Sequence, residues 1–494
     1  MSKRRVKNVD YSDDFYSEDH YSESSDYSSP RAKPKVDLVK PKSSPPSQQA
    51  TPKTIQPKAV KQVEQIARPI TDPNVVLVVI GHVDSGKSSL MGRLATMSDK
   101  HSKQVVNASE VAFNMDEASE EQERGVTINA AIKKLLFPGF SITVIDAPGH
   151  RDFVPNMLRG ASLADAALLV IDATDFETGF GSGGQTREHI RLAGALGIKR
   201  FIVAINKIDR INDEEKLNFA KESLRAFIDS EIENLECLFF VKTSAFTNLN
   251  LSTRLHQQEP CLLEILKQLC FIESTDRSFG VTRLPVLERA VGKGVRVSGR
   301  LEGNGPLVKG TKMTVLPGFG DKPVYAKISD SCFPTCGAFF PGEFIESIPL
   351  EEIGSKDQLE SMDALFSAGA VTLVATNSVS TNSPVLAAPL TPVTCTKFTA
   401  HVKVFQNASG VPGDELLLPG RQLVLHLGAS ALSVALGNIL AASNTKKRLK
   451  GGEEGIVEIE TISRPLVLIP HNSKIVLRYR GVTIAAGNVI DNLK

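Results

Sequence analysis

The segment NVVLVVIGHVDSGKSSLMGRL (Asn74–Leu94) restricts the fold of this chain more than any other. Six consecutive apolar residues, mostly β-branched, suit a strand buried on both faces. The polar loop that follows matches G-x-x-x-x-G-K-[ST], with Gly81, Gly86, Lys87 and Ser88 at the fixed positions and His82, Val83, Asp84 and Ser85 between the glycines. KSSLMGRLATM then has a helical pattern and places Ser89 in its first turn. A strand, a glycine-rich loop and a helix in this order form a phosphate cradle, in which backbone N–H groups and the helix N-terminus surround the β-phosphate. Lys87 is then expected to reach the β/γ-phosphates and the Ser88 hydroxyl to ligate Mg²⁺.

The surrounding sequence alternates apolar strands with helical stretches. SITVIDA, AALLVIDAT, FIVAINK and CLFFVKTSA read as buried strands, and GQTREHIRLAGALG and EEKLNFAKESLRAFIDSEI read as helices. The alternation predicts a parallel sheet covered by helices on both faces. After about residue 278 short alternating strands are broken by glycine every eight to twelve residues, the pattern of a β-barrel. A second such region opens at Thr391, at the end of the proline-rich PVLAAPLTP. The expected architecture is therefore an α/β P-loop domain over 71–277, β-barrel domains over 278–388 and 389–494, and a disordered tail over 1–70.

Three further turns fall at the C-terminal ends of strands, where open α/β sheets bind ligands. DAPGH (Asp146–His150) supplies a carboxylate for Mg²⁺ in Asp146, followed by Ala147, Pro148 and Gly149 along the phosphates. NKID supplies Asn206, Lys207 and Asp209, and the Asp209 carboxylate can accept from guanine N1–H and its 2-amino group, which adenine lacks. TSAF supplies Ser244, Ala245 and Phe246, with the Ala245 N–H expected at guanine O6. Upstream, Thr127 in EEQERGVTINAA is expected to complete the Mg²⁺ shell and to sense the γ-phosphate. His150 follows Gly149 where an imidazole can align the attacking water, so it is the expected catalytic residue. The cofactors implied are GTP or GDP and Mg²⁺. No arginine stands out as a finger acting in cis, so slow intrinsic hydrolysis awaiting an external activator is expected.

Composition closes off other classes. A net charge of +1 excludes bulk attraction to nucleic acid. No apolar run approaches the ~20 residues of a membrane helix, and the first residues lack the core of a signal peptide. Six scattered cysteines make neither a disulfide framework nor, at Cys332 and Cys336, a zinc site, and point to a reducing, cytoplasmic setting. Asp10–Pro30 carries seven acidic residues, no lysine or arginine and four of the six tyrosines, and Arg31–Lys58 is basic and proline-rich. Such a tail suits either solubilisation or a docking motif that folds on a partner.

GHVDSGKS, ERGVT, DAPGH and NKID together resemble the translational GTPases of the elongation factor one alpha type, over about residues 72–494. Within that superfamily SSLMGRL, FETGFGSGGQTREH, CLLEIL and LRYRGVTIAAGNV look most like the HBS family, as does the DYSDDFYSEDHY tail. The resemblance implies a ribosome-stimulated GTPase that works with a Pelota-type partner in ribosome rescue and mRNA surveillance. It also implies contacts with the ribosome, including its RNA, and with RNA-decay machinery through the tail, with no membrane role. NSKI (Asn472–Ile475) and DSCFPTCGAFFPGEF depart from the family pattern. The rival readings are an elongation factor carrying aminoacyl-tRNA and a non-hydrolysing scaffold between ribosomes and RNA decay. The basic cluster KKRLK (Lys446–Lys450) has two readings, a solvated loop, which comes first, and a contact with ribosomal RNA.

Overall fold

The computed structural model describes residues 72–98, 131–146, 154–181, 184–272, 281–292, 294–303, 305–319, 322–329, 338–352, 371–375, 393–405, 417–428, 430–442, 448–462, 465–468 and 473–493. The chain divides into a unit Met1–Val63, which lies outside the described residues together with the rest of the tail, and a unit Glu64–Lys494.

The larger unit begins with a six-stranded sheet. Its strands are β1 (Asn74–Ile80), β2 (Ala131–Phe137), β3 (Phe140–Asp146), β4 (Ala166–Asp172), β5 (Arg200–Asn206) and β6 (Cys237–Lys242), in the order β2-β3-β1-β4-β5-β6. All neighbours are parallel except β2, which pairs antiparallel with β3. The helices are α1 (Lys87–Met97), α2 (Val154–Ala161), α3 (Phe176–Phe180), α4 (Thr186–Ala195), α5 (Glu214–Glu231) and α6 (Leu262–Phe271). Local chemistry sets their ends. Asp213 caps α5 by accepting from Lys216 N, with Glu214 and Glu215 favourably placed in the first turn. The same helix buries Leu217, Ala220, Leu224 and Ile228, a three- and four-residue spacing that makes one apolar stripe.

Strand β1 separates two cores. Val76, Val78 and Ile80 face a cluster with α2, α4 and α5, whereas Val75, Leu77 and Val79 face one with α1 and α6. Because both faces are covered, the strand is apolar throughout rather than alternating.

The remaining strands are antiparallel. The first barrel contains β7 (Arg283–Gly292), β8 (Gly294–Arg300), β9 (Leu307–Val308), β10 (Lys312–Phe319), β11 (Lys322–Ile328), β12 (Ala338–Phe339), β13 (Phe344–Glu352) and β14 (Thr372–Ala375). It closes in the order β10-β11-β13-β8-β7-β14, with β9 and β12 paired aside. The second contains β15 (Val393–Cys395), β16 (Lys397–Val404), β17 (Gln422–Leu427), β18 (Ser430–Ala442), β19 (Glu454–Thr461), β20 (Leu466–Leu468), β21 (Lys474–Tyr479) and β22 (Val482–Leu493). It closes as β16-β19-β18-β17-β21-β22. Within KKRLK, Leu449 is buried in this barrel's core and bridged to Leu417, while Lys446 and Lys447 lie outside the described residues.

Both barrels touch the α/β domain. Arg300, at the end of β8, forks onto both oxygens of Asp165 at 2.8 Å and also donates to Leu163 O at 2.8 Å. Arg159 of α2 donates to Leu287 O. From the second barrel Val476 and Ala486 enter the α/β core, and Thr483 Oγ1 donates to Glu188 Oε1 of α4 at 3.2 Å.

Candidate nucleotide-binding site

The four motifs converge because β1, β3, β5 and β6 all end at one edge of the sheet. Gly81–Gly86 turns from β1 into α1, whose N-cap is Gly86. Gly86 has φ +90°, and a Cβ there would lie 2.4 Å from Asn206 Nδ2, so only glycine lets the loop lie against the NKID strand. A Cβ on Gly81 would lie 2.3 Å from Val170 O, which packs the start of the loop equally closely on β4.

Lys87 is buried at the start of α1, and its Nζ donates to Gly81 O at 3.1 Å and His82 O at 2.8 Å. Burial pushes its pKa down to about 8, against the pull of Asp146 and Asp84. Affinity for a phosphate is therefore expected to fall as pH rises through about 8 and the free ammonium loses its proton. Asp146 ends β3, is 1% exposed and pairs in register with Val79, the penultimate residue of β1. Ser88 sits on the first turn of α1. A hydroxyl and a buried carboxylate are oxygen donors of the kind Mg²⁺ takes, so these residues fit that ion. Thr127, Ala147, Pro148, Gly149 and His150 lie outside the described residues.

The base side is knitted more densely. Asn206, buried at the end of β5, donates from Nδ2 to Ser85 O at 3.0 Å and accepts at Oδ1 from Ala245 N at 3.0 Å. One amide thus joins the phosphate loop to the TSAF loop. The Ala245 N–H expected at guanine O6 is engaged here with Asn206, so reading O6 means sharing or exchanging that bond. Lys207, in the left-handed region at φ 64°, donates to Asp84 O and Asp172 Oδ2, both at 2.6 Å. Burial alone would raise the Asp172 pKa, but bonds from Lys207 and Thr174 outweigh it and hold the carboxyl below its usual range. Asp209 lies on the single turn Ile208–Arg210 directly after Lys207. The TSAF loop closes on itself through the Ser244–Leu249 bridge, and Phe246 is 65% exposed.

Three participants had no motif to announce them. His189 of α4 is fully buried, and its Nδ1 accepts from Gly81 N at 3.3 Å. Burial, reinforced by the Lys87 and His82 charges, pushes it down to about 3, so the ring is neutral, with its proton on Nε2. Asp172 anchors Lys207, and Arg93 of α1 donates to the TSAF loop. His189 and Asp172 lie within quoted stretches, but only the fold shows what they touch. A cavity of about 260 Å³ lies on the flank of the phosphate loop, lined by His82, Val83 and Asp84 on one side and by Asp172, Phe176 and Thr186 on the other.

Comparisons with known proteins agree with this geometry. Residues 72–274 match the Elongation factor Tu GTP binding domain family. Elongation factor 1-alpha of Methanosphaerula palustris is 31% identical over 452 residues, covering 85% of this chain and 97% of that protein. Protein HBS1 of Drosophila melanogaster is 29% identical over 470 residues, covering 87% of this chain and 65% of that protein. Among solved structures, the S. cerevisiae Ski7 GTPase-like domain bound to GTP is similar in fold, with a TM-score of 0.63 at 17% identity, over 85% of this chain and 97% of that one. Its P-loop domain, its two barrels and a relative matched over nearly its whole length place the chain in the elongation factor Tu and elongation factor 1-alpha superfamily of translational GTPases.

Proposed function

We propose that the chain is a ribosome-stimulated GTPase of the HBS type, which carries a Pelota-type partner to stalled ribosomes. The observation that carries the GTPase part is the single hydrogen-bonded unit formed by the phosphate loop, Asn206 and the TSAF loop, with Lys87 beneath it. The rescue part is supported by the likeness to Drosophila HBS1, which spans 87% of this chain, and by the HBS-like FETGFGSGGQTREH stretch.

In this reading the loop amides and Lys87 hold the phosphates, and Asp209 and the TSAF amides read guanine. Ser88, Thr127 and Asp146 would hold Mg²⁺, which neutralises charge developing on the phosphates. On the ribosome His150 would orient the attacking water. Chemistry so arranged works by positioning and electrostatics alone.

A second reading, an elongation factor for aminoacyl-tRNA, is favoured by the 31% identity to archaeal elongation factor 1-alpha. The two are separated by offering the purified full chain, in GTP and GDP forms, a Pelota-type protein and aminoacyl-tRNA. GTP-dependent retention of the former alone supports rescue, and retention of tRNA alone overturns it. Failure of ribosomes to stimulate hydrolysis would leave the scaffold reading in place. Among the described residues no helix is long and apolar enough to cross a membrane.

A further inference from the structure

Arg93 lies on α1, two turns beyond the phosphate loop, and reaches across to the TSAF loop. Its Nε donates to Ala245 O at 2.9 Å and its Nη2 to Phe246 O at 3.1 Å. A trans peptide is planar, so holding the Ala245 carbonyl also fixes the Phe246 N–H, which points the opposite way. On the other side Asn206 Oδ1 holds the Ala245 N–H. The two amides at the tip of this loop are thus aimed by one side chain from β5 and one from α1.

The rest of the loop has its own supports. Ser244 and Leu249 exchange both backbone bonds, Thr247 N donates to Ser244 Oγ, and the Asn250 side chain donates to Lys242 O and accepts from Leu255 N. None of these involves Arg93. The Phe246–Thr247 peptide is held from both sides, by Arg93 at its carbonyl and by Ser244 at its N–H, so what Arg93 alone sets is the direction of the Ala245–Phe246 peptide plane and not whether the loop folds.

We propose that Arg93 is a positioning residue for base recognition, aiming the Phe246 amide, beside the Ala245 amide that Asn206 holds, at the exocyclic oxygen of a guanine nucleotide. This rests on the guanine reading above. It adds that α1, whose first turn holds the phosphates, also sets how firmly the base is held, so phosphate and base contacts share one rigid element. A planar guanidinium suits the task, because its fork spans two consecutive carbonyls that an ammonium cannot hold together.

The test uses the full chain with GDP, inosine diphosphate and 6-thioguanosine diphosphate. Inosine keeps O6 and loses the 2-amino group; the thio analogue keeps N1–H and the 2-amino group but replaces O6 by a poorer acceptor. Unmodified protein should prefer GDP to both analogues. Arg93→Ala should weaken GDP and inosine diphosphate by the same factor, about tenfold, through faster release. The thio analogue should weaken about twofold or less, and Arg93→Lys should lie between. Equal weakening of all three ligands, or none, would overturn the proposal, since a merely structural tie cannot distinguish oxygen from sulfur. If unmodified protein already binds all three alike, the guanine reading fails first and the role of Arg93 falls with it.

Discussion

The two barrels are fastened to the α/β domain by different means. At the first junction a buried guanidinium forks onto a buried carboxylate, their side chains 4% and 2% exposed, and Asp165 Oδ2 also accepts from Val76 N of the central strand. At the second, Val476 and Ala486 supply apolar contact, Thr483 makes a polar contact to Glu188, and the Lys403–Glu233 pair is largely exposed. The first junction is selective in geometry and sits before β4, at the sheet edge opposite the nucleotide loops. The second is softer and rests on α4, where Glu188 precedes His189, the residue that touches the phosphate loop. A charged lock suits a fixed joint, and an apolar face with few polar ties suits one that can let go.

Breaking the lock should give the largest effect. Arg300→Ala leaves Asp165 buried without its cation and should cost about 3–5 kcal/mol in denaturant unfolding, with earlier proteolysis between the domains. The double change Arg300→Met with Asp165→Leu should recover much of that loss, though not all, because Val76 N loses its acceptor. A loss below about 1 kcal/mol for Arg300→Ala would erase the contrast between the junctions.

Acid should weaken the soft joint. His426 pairs in register with Val476, so both share the barrel face turned to the α/β domain, together with Arg478. Burial and the Arg478 charge push His426 down to about 3. The folded value lies below the ~6.5 of an unfolded chain, so stability is full above about pH 6.5 and falls towards pH 3. At pH 5 the loss should be about 2 kcal/mol, and His426→Gln should remove it from a pH titration of the unfolding midpoint. A titration unchanged by His426→Gln would show that acid acts elsewhere, with His189 the other buried imidazole among the described residues.

His189→Ala removes the acceptor of Gly81 N and should weaken GDP by about tenfold with little change at either junction. The smallest effect should come from Lys403→Ala, within about 0.5 kcal/mol, as expected of an exposed pair. A larger value would mean that the second junction is more polar than its burial indicates.

The sequence announced whatever depends on neighbours along the chain. The phosphate loop, Asp146, NKID and TSAF were legible because each follows or ends a strand whose apolar run is unmistakable, and the barrels because glycine interrupts alternating strands. Arg93, His189, Asp172 and the Arg300–Asp165 lock were not, since each meets its partner across 35 to 153 residues of chain. The exposed flank of β6 was also missed: CLFFVK reads as fully buried, yet as an edge strand it is only half covered.

The division made by β1 bears on how this molecule could be taken apart. The core on the α1 and α6 side holds residues of the α/β domain alone, while the opposite core includes Leu287, Val476 and Ala486 from the barrels. A fragment ending after Ile272 would keep the first core whole and leave an apolar scar on the second, together with the carboxylate of Asp165 stripped of its guanidinium. Such a fragment would tend to self-associate through that scar. The catalytic domain is thus a unit of sequence, but it is finished only when the barrels are folded against it.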